Sequence, residues 1–100
     1  ELAPSDEDLV FKKYTASFFT GTMVEQILRN KSVETIILAG VSTEGGVDGT
    51  ARHGSTLRFI PVIARDAVGS FEPHVHERML EMMSQRFEVE STAAIIDRIG

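Results

Sequence analysis

Residues 33–40 read VETIILAG, and this stretch decides the fold. Its centre, Ile36 to Ala39, is continuously apolar and lacks the alternation of a strand that faces water on one side. Such runs are typical of strands buried on both faces, as in parallel sheets that are covered by helices. The stretch therefore predicts a central strand of an α/β domain.

Two elements are expected upstream of this strand. The apolar residues 9–11 predict a short strand that ends at Lys12 and Lys13. Residues 22–30, TMVEQILRN, place apolar side chains at helical spacing with charged ones on the opposite face, which predicts a short amphipathic helix.

Downstream, residues 41–46 predict a turn and residues 47–52 a helix, although the glycines within this stretch weaken it. Residues 59–64 are rich in apolar and β-branched side chains and predict a second strand. Proline donates no hydrogen bond to a sheet, so Pro61 is expected at the beginning of that strand.

The rest of the chain continues the alternation. Helical spacing from Pro73 to Phe87 predicts the longest helix, with the proline in its first turn, followed by a short strand at 87–90 and a closing helix at 93–99. Strict alternation predicts right-handed crossovers and a parallel sheet. The predicted fold is a three-layer, doubly wound, mostly parallel α/β domain of the Rossmann-like kind, in which further strands are expected outside this chain.

Composition limits the possible functions. Hydrophobic residues make up 42% and charged residues 25%, as in an ordinary globular domain. No apolar run approaches the roughly 20 residues that span a bilayer and no signal peptide is recognisable, so a soluble cytoplasmic protein is expected. The net charge of −5 and the scattered Lys and Arg argue against a nucleic-acid partner. The absence of cysteine excludes disulfides, thiolate metal ligands and a thiol nucleophile from these residues.

The turn after the best strand is the first place to look for a ligand site, because open parallel sheets bind ligands at the carboxyl ends of strands. It is not a phosphate-binding P-loop, since Gly46 and Val47 stand where Lys and Ser/Thr are required. It is not a nucleophile elbow either, since Glu44 replaces the final glycine after Ser42, and a dinucleotide fingerprint fails on spacing. What remains is a set of backbone N–H groups at a helix N-terminus, which favours anions and developing oxyanions.

Several segments in order resemble the isochorismatase-like (cysteine hydrolase) superfamily. They are KYTASFFTGT at 13–22, LAGVSTEGGVDGTAR at 38–52, VIARDA at 62–67, FEPHVH at 71–76 and a closing Ser91-Thr92. The resemblance implies a doubly wound sheet of about six strands. Residues 1–100 would then be a single partial domain, the later portion of an isochorismatase-like hydrolase domain.

The resemblance also implies roles for individual residues. Lys13 occupies the position of the family's catalytic lysine, four residues before Ser17. Val41 and Ser42 correspond to the family's non-proline cis peptide. Gly46 stands where amidase-type members carry the nucleophilic cysteine, and the N–H groups of Ser42 and Gly46 would bind the oxyanion. Phe19, Glu44 and Gly45 are weaker candidates for the substrate pocket.

The glycine at position 46 implies a change of mechanism within that superfamily. An acyl-enzyme on this residue is excluded, yet isochorismatases proper also carry glycine here and are understood to cleave a vinyl ether by proton transfer from an aspartate. That aspartate would lie upstream of Glu1, since Asp6 and Asp8 follow no buried strand, so the isolated chain is expected to be inert. The substrate stays open, because Ser42 stands where isochorismatases carry a substrate-facing tyrosine.

Other polar residues have ordinary explanations. His74 and His76 are two residues apart on a predicted helix and point to different faces, so no shared metal is expected and no cofactor is implied. His53 is expected to stabilise the carbonyls at a helix end, and Asp66, at a strand end, either orients the active-site turn or is a structural acid. The methionines Met79, Met82 and Met83 are expected in the core or in an oligomer contact.

Two functions follow. The leading hypothesis is a hydrolase that uses Asp/Lys acid–base chemistry on a small carboxylated substrate. The alternative is a non-catalytic member retained for binding or oligomer assembly. A truncated cysteine amidase is disfavoured because Gly46 is present in the chain. The expected partners are a small-molecule substrate and either a second copy or a companion N-terminal segment.

Overall fold

The structure is a computed structural model that describes residues 3–100. Its elements alternate along the chain. They are α1 (Val24–Asn30), β1 (Thr35–Val41), a π-helical turn (Thr43–Val47), α2 (Asp48–Thr56), β2 (Ile60–Gly69), α3 (Pro73–Met83), β3 (Glu88–Glu90) and α4 (Thr92–Ile99). None of these helices is both long enough and apolar enough to cross a membrane.

The strands described form one sheet in the order β1-β2-β3, and both pairs are parallel. The predicted alternation and parallel sheet are confirmed. The helix at 22–30, the strand at 87–90 and the closing helix are also confirmed, and α3 is the longest described helix, with Pro73 at its start.

Pro61 is tolerated in the middle strand of this sheet because of its place in the register. The N–H of Ile60 donates to the carbonyl of Glu34, on the β1 side, at 2.8 Å. Successive N–H groups of a strand alternate in direction, so the nitrogen of Pro61 faces the β3 side. Pairing with β3 begins only at Val62, so no ladder bond is lost there. The predicted position of Pro61, at the beginning of its strand, is confirmed.

β2 is longer than predicted, since it continues from Ala64 to Gly69. The exposed polar residues Arg65 and Asp66 suggested an end, yet the backbone shifts register and pairs Val68 with Gly40. Strand length here is set by backbone pairing, which the side chains of the solvent-facing stretch do not reveal.

The predicted strand at residues 9–11 is wrong. These residues form no regular element, and Leu9 and Val10 are 61% and 71% exposed. A strand exists only where a neighbour completes its hydrogen bonds, and no described strand pairs with this segment. Phe11 instead packs edge-on against Phe18, with ring centroids 6.0 Å apart.

The burial predicted for β1 also needs correction. Its position and type are confirmed, but Ile37 is 46% exposed while Ile36 and Leu38 are partly buried. Ile36 and Leu38 pack on the core clusters, and Ile37, on the opposite face, is left open by the described residues. Continuous apolarity shows that both faces suit burial, but not that both are covered within this chain.

The core lies on both faces of β2. Ile63 packs with Ala51 and Met83 between the sheet and helices α2 and α3. The alternate residues Val62 and Ala64 pack against Ile95 of α4 on the other face. Helices therefore cover both sides of β2, which gives the expected three layers.

Asp66 fixes α4 to this second face. Its carboxylate accepts hydrogen bonds from the Thr92 N–H at 2.7 Å and from the Thr92 hydroxyl at 2.6 Å. The Thr92 hydroxyl, followed by the Thr92 N–H, lowers the pKa of Asp66. Asp66 lies within β2 rather than at its end and holds a helix N-terminus, so it is the structural acid of the two options.

Replacing Asp66 by Asn should remove a pH-dependent contribution to the free energy of unfolding. The folded-state pKa of Asp66 is lowered, so its contribution is present above the unfolded-state value and is lost as pH falls through the folded value. Wild type should exceed Asp66→Asn in the free energy of unfolding at pH 7, and the gap should close below about pH 4. Urea unfolding across this range measures it, with the exposed Asp6→Asn as control. A gap that stays constant with pH would contradict the assignment.

Candidate active site at the carboxyl end of β1

The chain leaves β1 at Val41 and passes through a cis peptide bond to Ser42 directly into helical structure. The predicted helix start at Val47 is therefore corrected. Helical structure begins with the π-helical turn at Thr43, so Gly45 and Gly46 lie within the first helical turn. At Gly45 the absence of a β-carbon leaves room for the Ser42 side chain. A β-carbon on Gly45 would lie 2.6 Å from the hydroxyl oxygen of Ser42.

The backbone of this β1–α2 turn (residues 42–47) is organised around one carbonyl. The oxygen of Ser42 accepts hydrogen bonds from the N–H groups of Gly45 and Val47, both at 3.1 Å, and Gly46 lies between these donors. The N-terminal end of the turn and α2 thus faces the carboxyl edge of the sheet, where the helix dipole favours negative charge.

Two side-chain contacts fix the turn from outside. Thr43 is fully buried, and its hydroxyl is hydrogen-bonded to Nδ1 of His76 at 2.8 Å. The hydroxyl of Ser70 donates to the carboxylate of Glu44 at 2.8 Å. α3 and the segment after β2 therefore both hold the turn. Sequence reasoning missed the bond of His76 because its partner is 33 residues away along the chain.

Lys13 and Gly46 are brought together at this turn. A β-carbon on Gly46 would lie 2.7 Å from Nζ of Lys13 and 3.6 Å from the carbonyl oxygens of Ala16 and Val41. The amine therefore rests directly over the glycine, and any side chain at position 46 would have to displace it. The two residues singled out most strongly from sequence share one site.

A cavity of about 210 Å³ opens beside this pair. Its walls combine the amine with apolar side chains and one hydroxyl. The lining residues are Lys13, Phe18, Leu38, Ala39, Val41, Gly46, Val47 and Thr50. Lys13 is the charged member of this set, so the cavity suits a small molecule with an anionic or electron-rich group.

The weaker pocket candidates lie elsewhere. Phe18, not Phe19, lines the cavity, because Phe19 is only 6% exposed and packs with Val24 and Phe59 in the core. Glu44 is directed to Ser70, and Gly45 lies against Ser42. Sequence could not decide between adjacent phenylalanines, since neighbouring side chains of an irregular segment have no fixed period.

The carboxylates near the chain's start do not complete the site. Asp6 and Asp8 are exposed and neither lines the cavity, and Asp8 accepts a hydrogen bond from the Ser5 N–H at 2.9 Å. Within residues 3–100, no group of three or more His, Cys, Asp or Glu side chains is arranged to hold a metal ion.

Comparison with known proteins adds independent information. An isochorismatase domain model matches residues 1–95. The N-carbamoylsarcosine amidase of an Arthrobacter species is 32% identical over 96 residues, which are 95% of this chain and 36% of that protein.

Solved structures share the fold. An isochorismatase-like hydrolase from Alkaliphilus metalliredigens superposes with a TM-score of 0.95 at 23% identity, covering 99% of this chain and 54% of that one. The nicotinamidase/pyrazinamidase PncA from Bacillus subtilis superposes with a TM-score of 0.76 at 33% identity, covering 79% of this chain and 44% of that one.

The parallel sheet covered by helices places this chain among the open-sheet α/β proteins. Within that class, the chain belongs to the isochorismatase family. It spans between 36% and 54% of the length of these relatives. The resemblance inferred from the motifs is confirmed, as is the fold class.

Adding a methyl group at Gly46 should displace the Lys13 amine without unfolding the domain. Only the flexible end of Lys13 lies closer than 3.6 Å to the new β-carbon, so Gly46→Ala should change the free energy of unfolding by no more than about 1 kcal/mol. Labelling of Lys13 by an amine-reactive reagent, followed by mass spectrometry, should be altered. Gly69→Ala, which makes ordinary contact at 3.7 Å, is the control. Unchanged labelling in Gly46→Ala would show that the amine does not rest there.

Proposed function

We propose that the complete protein is a hydrolase of small carboxylated substrates that acts without a cysteine nucleophile. The single observation that carries this proposal is the Lys13 amine resting over Gly46 at the wall of a cavity. The amine supplies a positive charge where a substrate carboxylate or a developing negative charge would lie. The amidase and nicotinamidase named among its relatives support hydrolysis as the reaction class.

The size and walls of the cavity support a small substrate. Its 210 Å³ lies below the roughly 300–1,000 Å³ of pockets that hold drug-sized ligands. Phe18 and Leu38 provide apolar contact, and Lys13 provides charge. N-carbamoylsarcosine, in the name of the Arthrobacter relative, is itself a small carboxylate.

The proposed reaction uses water in place of a thiol. Water attacks the electrophilic carbon, a C–O bond forms, the bond to the leaving group breaks, and one proton of the water ends on the leaving atom. The N–H groups of Ser42 and Gly46 stabilise the oxyanion, and Lys13 moves the proton together with a carboxylate from outside the described residues. This division of roles follows the family resemblance, with Gly46 excluding the acyl-enzyme route.

We also propose that residues 1–100 form the later portion of one hydrolase domain that works in the cytoplasm. Ile37 and Ile99 are exposed beside a second cavity of about 250 Å³ between β1 and α4. An N-terminal companion segment, or a second copy of the chain, would cover these side chains and the edge of β1 with which no described strand pairs. The companion segment would carry the catalytic aspartate.

Lys13→Ala in the complete protein should lower kcat/KM by roughly 100-fold or more, the usual scale for a positioned proton-transfer group. The substrates to assay are isochorismate and simple amides, including carboxylated ones. Lys12→Ala is a matched control, because the Lys12 amine lies near the Tyr14 ring, 5.9 Å from its centroid, and does not line the cavity. Full activity in Lys13→Ala would refute the assigned role.

Gly46→Cys tests whether the missing thiol means lost activity. If the protein is a catalyst without a thiol, the new cysteine should lower activity, because its β-carbon would meet the Lys13 amine at 2.7 Å. If wild type turns over no substrate and Gly46→Cys creates amidase activity, the protein is instead a non-catalytic member used for binding or assembly. Initial rates of the wild type and of Gly46→Cys on the same amides decide between these outcomes.

A further inference from the structure

The segment that carries Lys13 has no regular structure of its own to hold it. Residues 13–22 contain bends and turns but no helix or strand. The position of the Lys13 amine must therefore come from what this segment packs against, and side chains on one face of α2 hydrogen-bond to it.

A hydroxyl–imidazole pair joins the Lys13 segment to α2. The hydroxyl oxygen of Ser17 lies 2.7 Å from Nδ1 of His53, and the same oxygen accepts the N–H of Phe19 at 3.2 Å. His53 was expected to stabilise carbonyls at the end of its helix. It is in the last turn of α2, but its ring is directed sideways to the Lys13 segment.

A second polar contact lies one turn earlier on the same helix. The buried hydroxyl of Thr50 accepts the Phe18 N–H at 3.0 Å and donates to the carbonyl of Ala16 at 3.5 Å. Both N–H groups at positions 18 and 19 thus depend on hydroxyl groups at this contact.

Small residues allow the close approach. A β-carbon on Gly49 would lie 3.2 Å from Cβ of Ala16. One on Gly54 would lie 2.8 Å from Cδ1 of Ile36 in β1 and 3.2 Å from the ring of Phe19. That ring also packs edge-on against His53, with centroids 5.4 Å apart. Positions 49, 50, 53 and 54 share one side of a helix, so they form a continuous docking face.

We propose that the docking face of α2 (Gly49, Thr50, His53 and Gly54) sets the position of Lys13 for the reaction, with His53 as a positioning residue that acts through Ser17. This inference rests on the proposed function. α2 is continuous with the turn that contains Gly46. The same helix therefore holds both parts of the site. Gly46 lies in the turn at its N-terminal end, and the segment that carries Lys13 packs along its docking face.

Ser17 and His53 resemble a nucleophile–base pair, but their placement favours the positioning role. Neither residue lines the cavity beside Lys13. The Ser17 oxygen is also engaged by a backbone N–H of its own segment, as in a local turn rather than an exposed nucleophile.

The experiment compares His53→Leu with His53→Asn in the complete protein. The Asn amide reaches the position of Nδ1 and can bond Ser17, whereas Leu cannot. In His53→Leu, amide hydrogen exchange at Phe18 and Phe19 should accelerate about two- to tenfold, the range that one hydrogen bond supplies, and kcat/KM should fall by a similar factor. His53→Asn should restore both. His74→Leu, an exposed histidine on α3, is the control.

Ser17→Ala removes the same bond from the segment side and serves if His53→Leu fails to fold. Because it also removes the acceptor of the Phe19 N–H, its readout is exchange at Phe18. Unchanged exchange at Phe18 and Phe19 in His53→Leu, or at Phe18 in Ser17→Ala, would overturn the proposal that His53 holds the segment. Faster amide exchange with an unchanged kcat/KM would overturn the role of His53 in the reaction. If wild type turns over no substrate, the proposed function fails, while the exchange rates still decide whether His53 holds the segment.

Discussion

The passage of the chain from β1 into α2 at Ser42 is the constraint on which the rest of the structure depends. The Ser42 carbonyl accepts two backbone hydrogen bonds, and the helix starts within a residue of the strand's end. The same short stretch then buries Val47 and Ala51 against Ile63 in the core. Because the turn is part of the core's packing, it can hold backbone N–H groups in place at the edge where open parallel sheets generally bind ligands.

The turn is held by parts of the chain that are distant in sequence. His76 bonds the buried Thr43, and Ser70 bonds Glu44. These contacts join α3 and the end of β2 to the turn, so the site is supported from two sides. A polar bond to a buried group matters here because an unpaired polar atom in that place would cost about 1–3 kcal/mol.

Membership of the isochorismatase family gives this geometry its chemical meaning. By the family resemblance, Gly46 stands where amidase-type members carry their thiol, and the space next to it holds the Lys13 amine. We interpret the pair as a site for acid–base chemistry on a small anion, with α2 positioning both members. We propose that the functional domain also covers the exposed side chain of Ile37, with surface that these residues do not provide.

Sequence by itself determined the α/β class, the parallel sheet, the place of Pro61 and the pairing of Lys13 with the Gly46 turn as one candidate site. These features depend on local periodicity, on the missing hydrogen-bond donor of proline and on the order of motifs, and all three can be recognised from the sequence. Only the tertiary structure decided that residues 9–11 are not a strand, that Phe18 rather than Phe19 faces the cavity, and that His53 and His76 are bonded to Ser17 and Thr43. Those outcomes depend on contacts with residues more than 30 positions away, or with neighbours outside the local segment. A local sequence pattern does not show which of these residues will be in contact in the folded protein.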